Sequence, residues 1–342
     1  MQNRPEFIAR VLLTLIVVGL PSLVLGFQFV IRPRLDGPRT IDISASSPEN
    51  GGFQPANITV NAGETVTLRF ASNDVTHGIA IGPGLGIDLG HVDPGHIKEV
   101  TLSFADPGTY TFYCNTWCSL DHWRMRGVVE VRDPANPSAI PARQVDTVIE
   151  ALAAEGVDID APHGESLPMN NMDAMPVLIE SPSAQRGRQI APTLDIPPEL
   201  LEESWRRSHT PLQGVVLLLT RNPQTSTSSL ADAVAYLWTI NNSAQTRAGA
   251  ELFYAKNCAA CHGQTGDGDG IVSTLTAESP VAFSDSKYLF GRRGDVLYAK
   301  IRRGGMGTDM PNFGTLITPE ETWALVDYLW TLGIEIEERT TE

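Results

Sequence analysis

Cysteine is scarce in this chain, with four in 342 residues. All four fall in two short patterns, so none is left over to form a disulfide framework. An excess of basic residues is also missing. Lys and Arg number 25 against 40 Asp and Glu, a net charge of −15 that argues against a nucleic-acid partner. Long apolar runs are absent beyond the first 31 residues, and residues 133–244 contain no metal-binding pattern. The chain is long enough for two or three domains, and its 24 prolines fit globular modules joined by Pro-rich linkers. The acidic surface would suit docking of a basic redox protein, although acidic composition also serves plain solubility.

The one apolar run, Val11 to Ile31, has 21 nearly uncharged positions. At about 1.5 Å per residue it crosses a hydrocarbon layer of roughly 30 Å. Pro21, Ser22 and Gln28 interrupt it, which a kinked span tolerates. The run exceeds the usual apolar length of a signal peptide, and no A-x-A site follows it, so an uncleaved anchor is expected over residues 1–35. Arg4 and Arg10 precede the run and Arg32, Arg34 and Arg39 follow it, which leaves orientation undecided.

From Ile41 to Val131, short alternating segments are separated by Gly, Pro and Asn turns. NITV, TVTLRFAS, HGIAI, KEVTLSFA, TYTFYC and GVVEVR read as strands of a β-sandwich spanning residues 36–132. The last-but-one strand runs into CNTWCSLDHWRM, where Cys114, Cys118, His122 and Met125 occur within twelve residues. Thiolate, imidazole and thioether together select soft metals, copper above all. A structural zinc site would not need the Met, and a mononuclear blue-copper site uses one Cys. Two thiolates on one loop can bridge two metal ions, each then needing its own imidazole. His122 supplies one, and His77 in SNDVTHGIA is the candidate for the other. His91 and His96, in LGHVDPGHIKE, compete but lie in a turn-rich stretch that reads as solvated loop.

Over residues 39–132, SNDVTHG followed by PGTYTFYCNTWC-x3-H-x2-M-RG resembles the binuclear copper (CuA) cupredoxin domain of haem–copper oxidase subunit II. The resemblance implies two coppers bridged by Cys114 and Cys118, with one imidazole each from His77 and His122. It also implies Met125 on one copper and the backbone carbonyl of Thr116 on the other. A single N-terminal span resembles the B-type branch of these oxidases.

RAGAELFYAKNCAACHGQTGDGDG begins with a helical pattern, Ala248, Leu252 and Phe253 on one side, and ends in Cys258-x-x-Cys261-His262. That spacing attaches c-type haem through two thioethers, with His262 as proximal ligand. A sixth ligand is expected from RRGGMGTDMPNFG, where Met310, which precedes Pro311, is favoured over Met306. This stretch resembles class I cytochromes c, in which the axial Met typically precedes Pro before the last helix. In TPEETWALVDYLWTLG, Thr318 is positioned to N-cap the final helix, with Pro319 first and Glu321 completing a capping box. Its bulky residues Trp323, Val326, Tyr328, Leu329 and Trp330 are expected in the core. The cytochrome domain is expected over residues 245–336.

Residues 133–244 read as a linker and helical region. DPANPSAIPA is linker by composition. RQVDTVIEALAAEG, PPELLEESWRR and SLADAVAYLWTI read as helices. HGESLPMNNMDAMP offers His163, Met169, Met172 and Met175, a copper-handling set or, more simply, a loop. Tyr236-Leu237-Trp238-Thr239 matches Tyr328-Leu329-Trp330-Thr331, a hint of a degenerate, haem-less cytochrome c module.

The chain is thus expected to be multidomain: one transmembrane helix, an all-β cupredoxin sandwich, a mostly α linker region and an all-α class I cytochrome c domain. The resemblances imply the electron-transfer subunit II of a cytochrome c oxidase, carrying two coppers and one haem c. It would pass electrons to a membrane-embedded catalytic subunit I that reduces dioxygen, which leaves no catalytic residues of its own in this chain. A soluble or membrane-bound electron donor and the lipid bilayer are its other implied partners, with the soluble domains extracytoplasmic. A nitric oxide reductase with a similar subunit, and a free-standing tethered electron carrier, remain alternatives.

Overall fold

The structure, a computed structural model, describes residues 4–31, 37–83, 87–119, 121–136, 146–159, 180–240, 244–304 and 308–336. An α-helix (Arg4–Thr14), a π-helical turn (Leu15–Gly19), a second α-helix (Leu20–Gly26) and another π-helical turn (Phe27–Ile31) follow one another without a break. The first π turn ends two residues before Pro21, whose ring removes a helix hydrogen bond and clashes with the turn before it. The stretch Leu12–Phe29 is long and apolar enough to cross a membrane, and none of it is buried against the rest of the chain.

Among the described residues, nine strands build the sandwich. β1 (Arg39–Ala45), β2 (Phe53–Gln54), β4 (Thr65–Ser72) and β7 (Ile97–Ser103) form one sheet in the order β2-β1-β4-β7. β3 (Asn57–Asn61), β5 (His77–Gly82), β6 (Ile87–Val92), β8 (Gly108–Tyr113) and β9 (Arg126–Arg132) form the other in the order β3-β9-β8-β5-β6. The pairs β1–β4 and β3–β9 are parallel and the rest antiparallel. The period-two pattern in the sequence is what closes the core: Val66, Leu68 and Phe70 of β4 all point inward. Phe53, Phe70 and Phe112 meet edge to face, with ring centroids 5.0–6.0 Å apart. Gly127 lies opposite Phe112 in the β8–β9 ladder, where any Cβ would overlap the ring.

The stretch holding His91 is a strand rather than the solvated loop expected. β6 pairs with β5 through a register shift between Ile79 and Ala80, and Gly90 supplies the positive φ there. As an edge strand with half-exposed residues it lacks the strong alternation that marks a strand in sequence.

The helical part has helices at Thr147–Ala154, Ala184–Ile190, Pro198–Leu201, Glu203–Ser208, Pro211–Arg221, Thr227–Thr239, Ala244–Asn257, Ala259–His262, Ser286–Phe290, Gly294–Arg303 and Pro319–Gly333. The capping box of Thr318 and Glu321 forms as expected. Val326, Tyr328, Leu329 and Trp330 are buried, and Trp323 stacks on Tyr298 at 4.7 Å. The Ala244–Asn257 helix packs on this last helix, but only partly through the face read from the sequence: Phe253 meets Phe313 at 5.9 Å. Ala248 and Leu252 are exposed, whereas Ala250 and Tyr254, one helical turn apart, are buried. Tyr254 is selected because its ring meets Tyr328 at 5.4 Å while its hydroxyl donates to the carbonyl of Gly263 at 2.8 Å. The helix that bears the first YLWT repeat packs in a similar way on Ala184–Ile190, whose Gly187 lies against the backbone of Asp232. His163, Met169, Met172 and Met175 lie outside the described residues.

Asp327, on the last helix, faces Arg206, Arg207 and Glu203 of the preceding region. Burial pushes its carboxyl up to about 7, with Arg207 pulling the other way and Glu203 adding to the rise. An unfolded aspartate titrates near ~3.9, so between about pH 4 and pH 7 the folded chain binds more protons and stability falls as pH rises. Asp327→Asn is expected to flatten this part of the pH–stability profile. Melting curves from pH 4 to pH 8 check it, and an unaltered slope would refute it.

Candidate metal and haem sites

The loop between β8 and β9 is tied shut at its ends. The Cys114 N–H donates to the Met125 carbonyl at 3.0 Å, and the Met125 N–H to the carbonyl of His122 at 2.9 Å. This brings three sulfurs together: Cys114 Sγ lies 3.8 Å from Cys118 Sγ, which lies 3.9 Å from Met125 Sδ. The Thr116 carbonyl oxygen sits 3.0 Å from Cys114 Sγ. His77, at the start of β5, joins them, and one ligand atom each from His77, Cys114 and Cys118 falls within 4.8 Å of the others. The Nδ1 atoms of both His77 and His122 are buried without a hydrogen-bond partner of good geometry, a state that buried polar atoms avoid unless another ligand is due. Asn115 Oδ1 and Ser119 Oγ share that state.

The thiol pair is poised to lose a proton at Cys114. Its pKa is lowered, first by the hydrogen bond with the Cys118 thiol, against burial, and then by His122 and His77. Cys118 is pushed up, first by the hydrogen bond to Cys114 and then by burial. Burial alone would lower the pKa of His77, but its contacts with Cys114 and Asp74 outweigh that and raise it.

Asp74 was not singled out in the sequence. Its Oδ1 is 2.8 Å from His77 Nε2, and it accepts hydrogen bonds from the N–H groups of Ser47 and Val75 and from Asn50 Nδ2. Burial pushes its carboxyl up, but these donors outweigh it and hold the group well below the usual carboxylate range. The carboxylate fixes the imidazole so that Nδ1 faces the sulfurs. The only sequence signal is an acid three residues before the histidine in a tight turn. Gly78 is equally constrained, since a Cβ there would overlap the Asn115 and Thr116 side chains. His91 and His96 stay out of the cluster. His91 Nε2 pairs with Thr116 Oγ1 at 2.9 Å on the exposed side, and His96 Nδ1 lies 3.1 Å from the Pro94 carbonyl.

In the helical part, Cys258, Cys261, His262 and Met310 line one cavity, walled by Tyr254, Phe283, Leu297 and Leu329. The glycine-rich loop folds back on the Cys-x-x-Cys-His segment: Gly268 N–H donates to the His262 carbonyl at 2.8 Å and Gly270 N–H to the Cys261 carbonyl at 3.1 Å. Gly270 has no room for a Cβ beside the Ala260 carbonyl. His262 Nδ1 bonds the Val281 carbonyl at 3.1 Å, which orients the ring. Burial pushes the Cys258 thiol up to about 12 and raises Cys261 as well. A thiol–disulfide site needs a stabilised thiolate, and this pair has the opposite setting. Met306 lies outside the described residues. The Met310–Asn312 backbone is backed by Gly304, whose φ of +80° and lack of a Cβ permit the contact.

Fold and sites together define the class. Residues 38–129 match the family described as cupredoxin-like domain, and residues 246–333 match cytochrome c. The chain therefore joins a cupredoxin-like domain, of a kind that implies copper, to a cytochrome c domain that implies haem. It is 35% identical over 82 residues to cytochrome c oxidase subunit 2 of Thermus thermophilus, covering 24% of this chain and 59% of that protein. A second relative of the same description is covered to 48%, so the chain spans about half the length of the curated relatives it matches. Among solved structures, the reduced auracyanin of Roseiflexus castenholzii is 23% identical at a TM-score of 0.23, over 28% of this chain and 98% of that one. The periplasmic domain of cytochrome oxidase subunit II of Bradyrhizobium japonicum is 20% identical at 0.24, over 30% and 88%.

His77→Ala is expected to abolish copper-dependent absorption, whereas Asp74→Asn should retain it with copper affinity reduced about 10- to 100-fold. Copper titration checks both, and full affinity in Asp74→Asn would remove the orienting role of that carboxylate.

Proposed function

We propose that this chain is the electron-entry subunit, subunit II, of a membrane-bound haem–copper oxidase. Residues 1–35 would anchor it, residues 36–132 form the copper domain, residues 133–244 the connecting region and residues 245–336 the haem domain. The observation that carries the reading is the pair of sulfurs 3.8 Å apart, flanked by two buried imidazoles whose Nδ1 atoms lack partners. That donor set fits two soft metal ions sharing two thiolates better than one. Cys114 and Cys118 would bridge two coppers. His77, His122, Met125 and the carbonyl of Thr116 would complete their coordination. Cys258 and Cys261 would hold haem c, with His262 and Met310 as axial ligands.

When bound, these groups supply one-electron storage at two potentials. The protein's part is to keep both sites rigid and dry. The β8–β9 closure and the Asp74–His77 pair hold the copper ligands in place, so a change of charge meets little rearrangement. The His262–Val281 bond and the apolar cavity walls do the same for the haem, and a Met ligand raises its potential. In this reading, electrons from a soluble or membrane-bound donor would enter at the haem held by Cys258, Cys261, His262 and Met310 and would leave it for the copper site of Cys114, Cys118, His77, His122 and Met125. They then move to a catalytic subunit I that reduces dioxygen. The apolar helix and the likeness to oxidase subunit 2 support a membrane anchor with the soluble domains extracytoplasmic.

Electron paramagnetic resonance of the oxidised, copper-loaded full chain tests the centre. Seven hyperfine lines are expected for one unpaired electron shared by two coppers, and four lines would mean a single copper and overturn the binuclear assignment. Met310→Ala is expected to lower the haem potential and remove the methionine–iron absorption band, and persistence of the band would transfer the role to Met306.

A further inference from the structure

The ends of the two site loops touch each other. Arg126, covalently next to Met125, donates through Nη1 to the Asn312 carbonyl at 2.7 Å and to Asn312 Oδ1 at 2.9 Å. Asn312 is two residues after Met310. The guanidinium carbon stands 5.9 Å from the centre of the Phe313 ring, which meets Phe253 edge to face at 5.9 Å. Gly304 braces the partner side, because its missing Cβ lets the Met310–Asn312 backbone pack directly on it.

Elsewhere the two domains meet less completely. Gly82 abuts the Leu316 carbonyl, and Lys256 pairs with Asp88 on β6. Between these contacts lies a cleft of about 440 Å³ lined by residues of both domains, Ile87, Asn115, Leu252 and Ile317 among them. An interface with such a gap depends on its charged contacts more than a filled one does, because less apolar area holds it shut.

We infer that Arg126 clamps the Met310 loop of the cytochrome domain onto the Met125 end of the β8–β9 loop, and so sets the relative position of the two sites. The Met125–Arg126···Asn312–Pro311–Met310 connection links them through three peptide bonds and two hydrogen bonds donated by a single guanidinium nitrogen. Its importance for electron exchange rests on the reading above, but the clamp itself concerns only residues of this chain.

Hydrogen exchange on the full, haem-bearing chain without copper tests the clamp. A charge-assisted hydrogen bond is strong enough that its loss in Arg126→Gln should speed exchange of the Phe313 and Gly314 amides by about tenfold or more. The amides of β4 and β7, on the far sheet, should keep their rates. Arg126→Lys, which retains the charge and can still reach an oxygen, should fall between parent and Arg126→Gln. Rates in Arg126→Gln equal to the parent's at Phe313 and Gly314, or acceleration spread equally over β4 and β7, would overturn the inference. The seven-line copper signal of the parent is a separate readout, so failure of the binuclear reading and failure of the clamp are distinguishable.

Discussion

The structure turns on the backbone hydrogen bond from Cys114 to the Met125 carbonyl. It adds a rung beyond the β8–β9 ladder and folds a twelve-residue loop back on itself, so that sulfurs distant along the chain lie within 4 Å of their neighbours. Met125 is thereby buried beside Cys118. The sandwich beneath makes the closure possible. Tyr113 and Arg126 form the pair next to the closing rung and Phe112 and Gly127 the pair after it, where the glycine gives way so that the ring can fill the core.

β5 connects this site to the rest of the molecule. All six of its residues are buried, unlike a sandwich strand with one wet face. Ile79 and Ile81 fill the sandwich, while Ala80 and Gly82 lie under the cytochrome domain. The small residues on the outer face allow that approach, and Tyr113, next to Cys114, belongs to the same shared core. The copper loop and the haem cavity are therefore built from adjacent parts of one packed structure, and a disturbance at the interface reaches both.

Much of this organisation was legible in the sequence, because it depends on local spacing. The Cys-x3-Cys-x3-His-x2-Met and Cys-x-x-Cys-His patterns place their side chains within one loop or one turn. The Thr318–Glu321 capping box is likewise a local device. What was misread depends on packing partners. Leu252 and Ala248 look like the buried face of their helix, but Tyr254 wins because it alone reaches both Tyr328 and the Gly263 carbonyl. β6 was missed because an edge strand with a bulge carries little alternation.

The sequence by itself determined the donor types, their order along the chain and the periodicities that make a sandwich and a set of helices. These follow from side-chain chemistry and near-neighbour geometry. Only the tertiary structure decided that Asp74 orients His77, already a candidate ligand in the sequence 37 residues before Cys114, and that Arg126 reaches Asn312 across 186 residues. Contacts of that separation depend on how sheets and helices pack, and no local pattern in the chain encodes them.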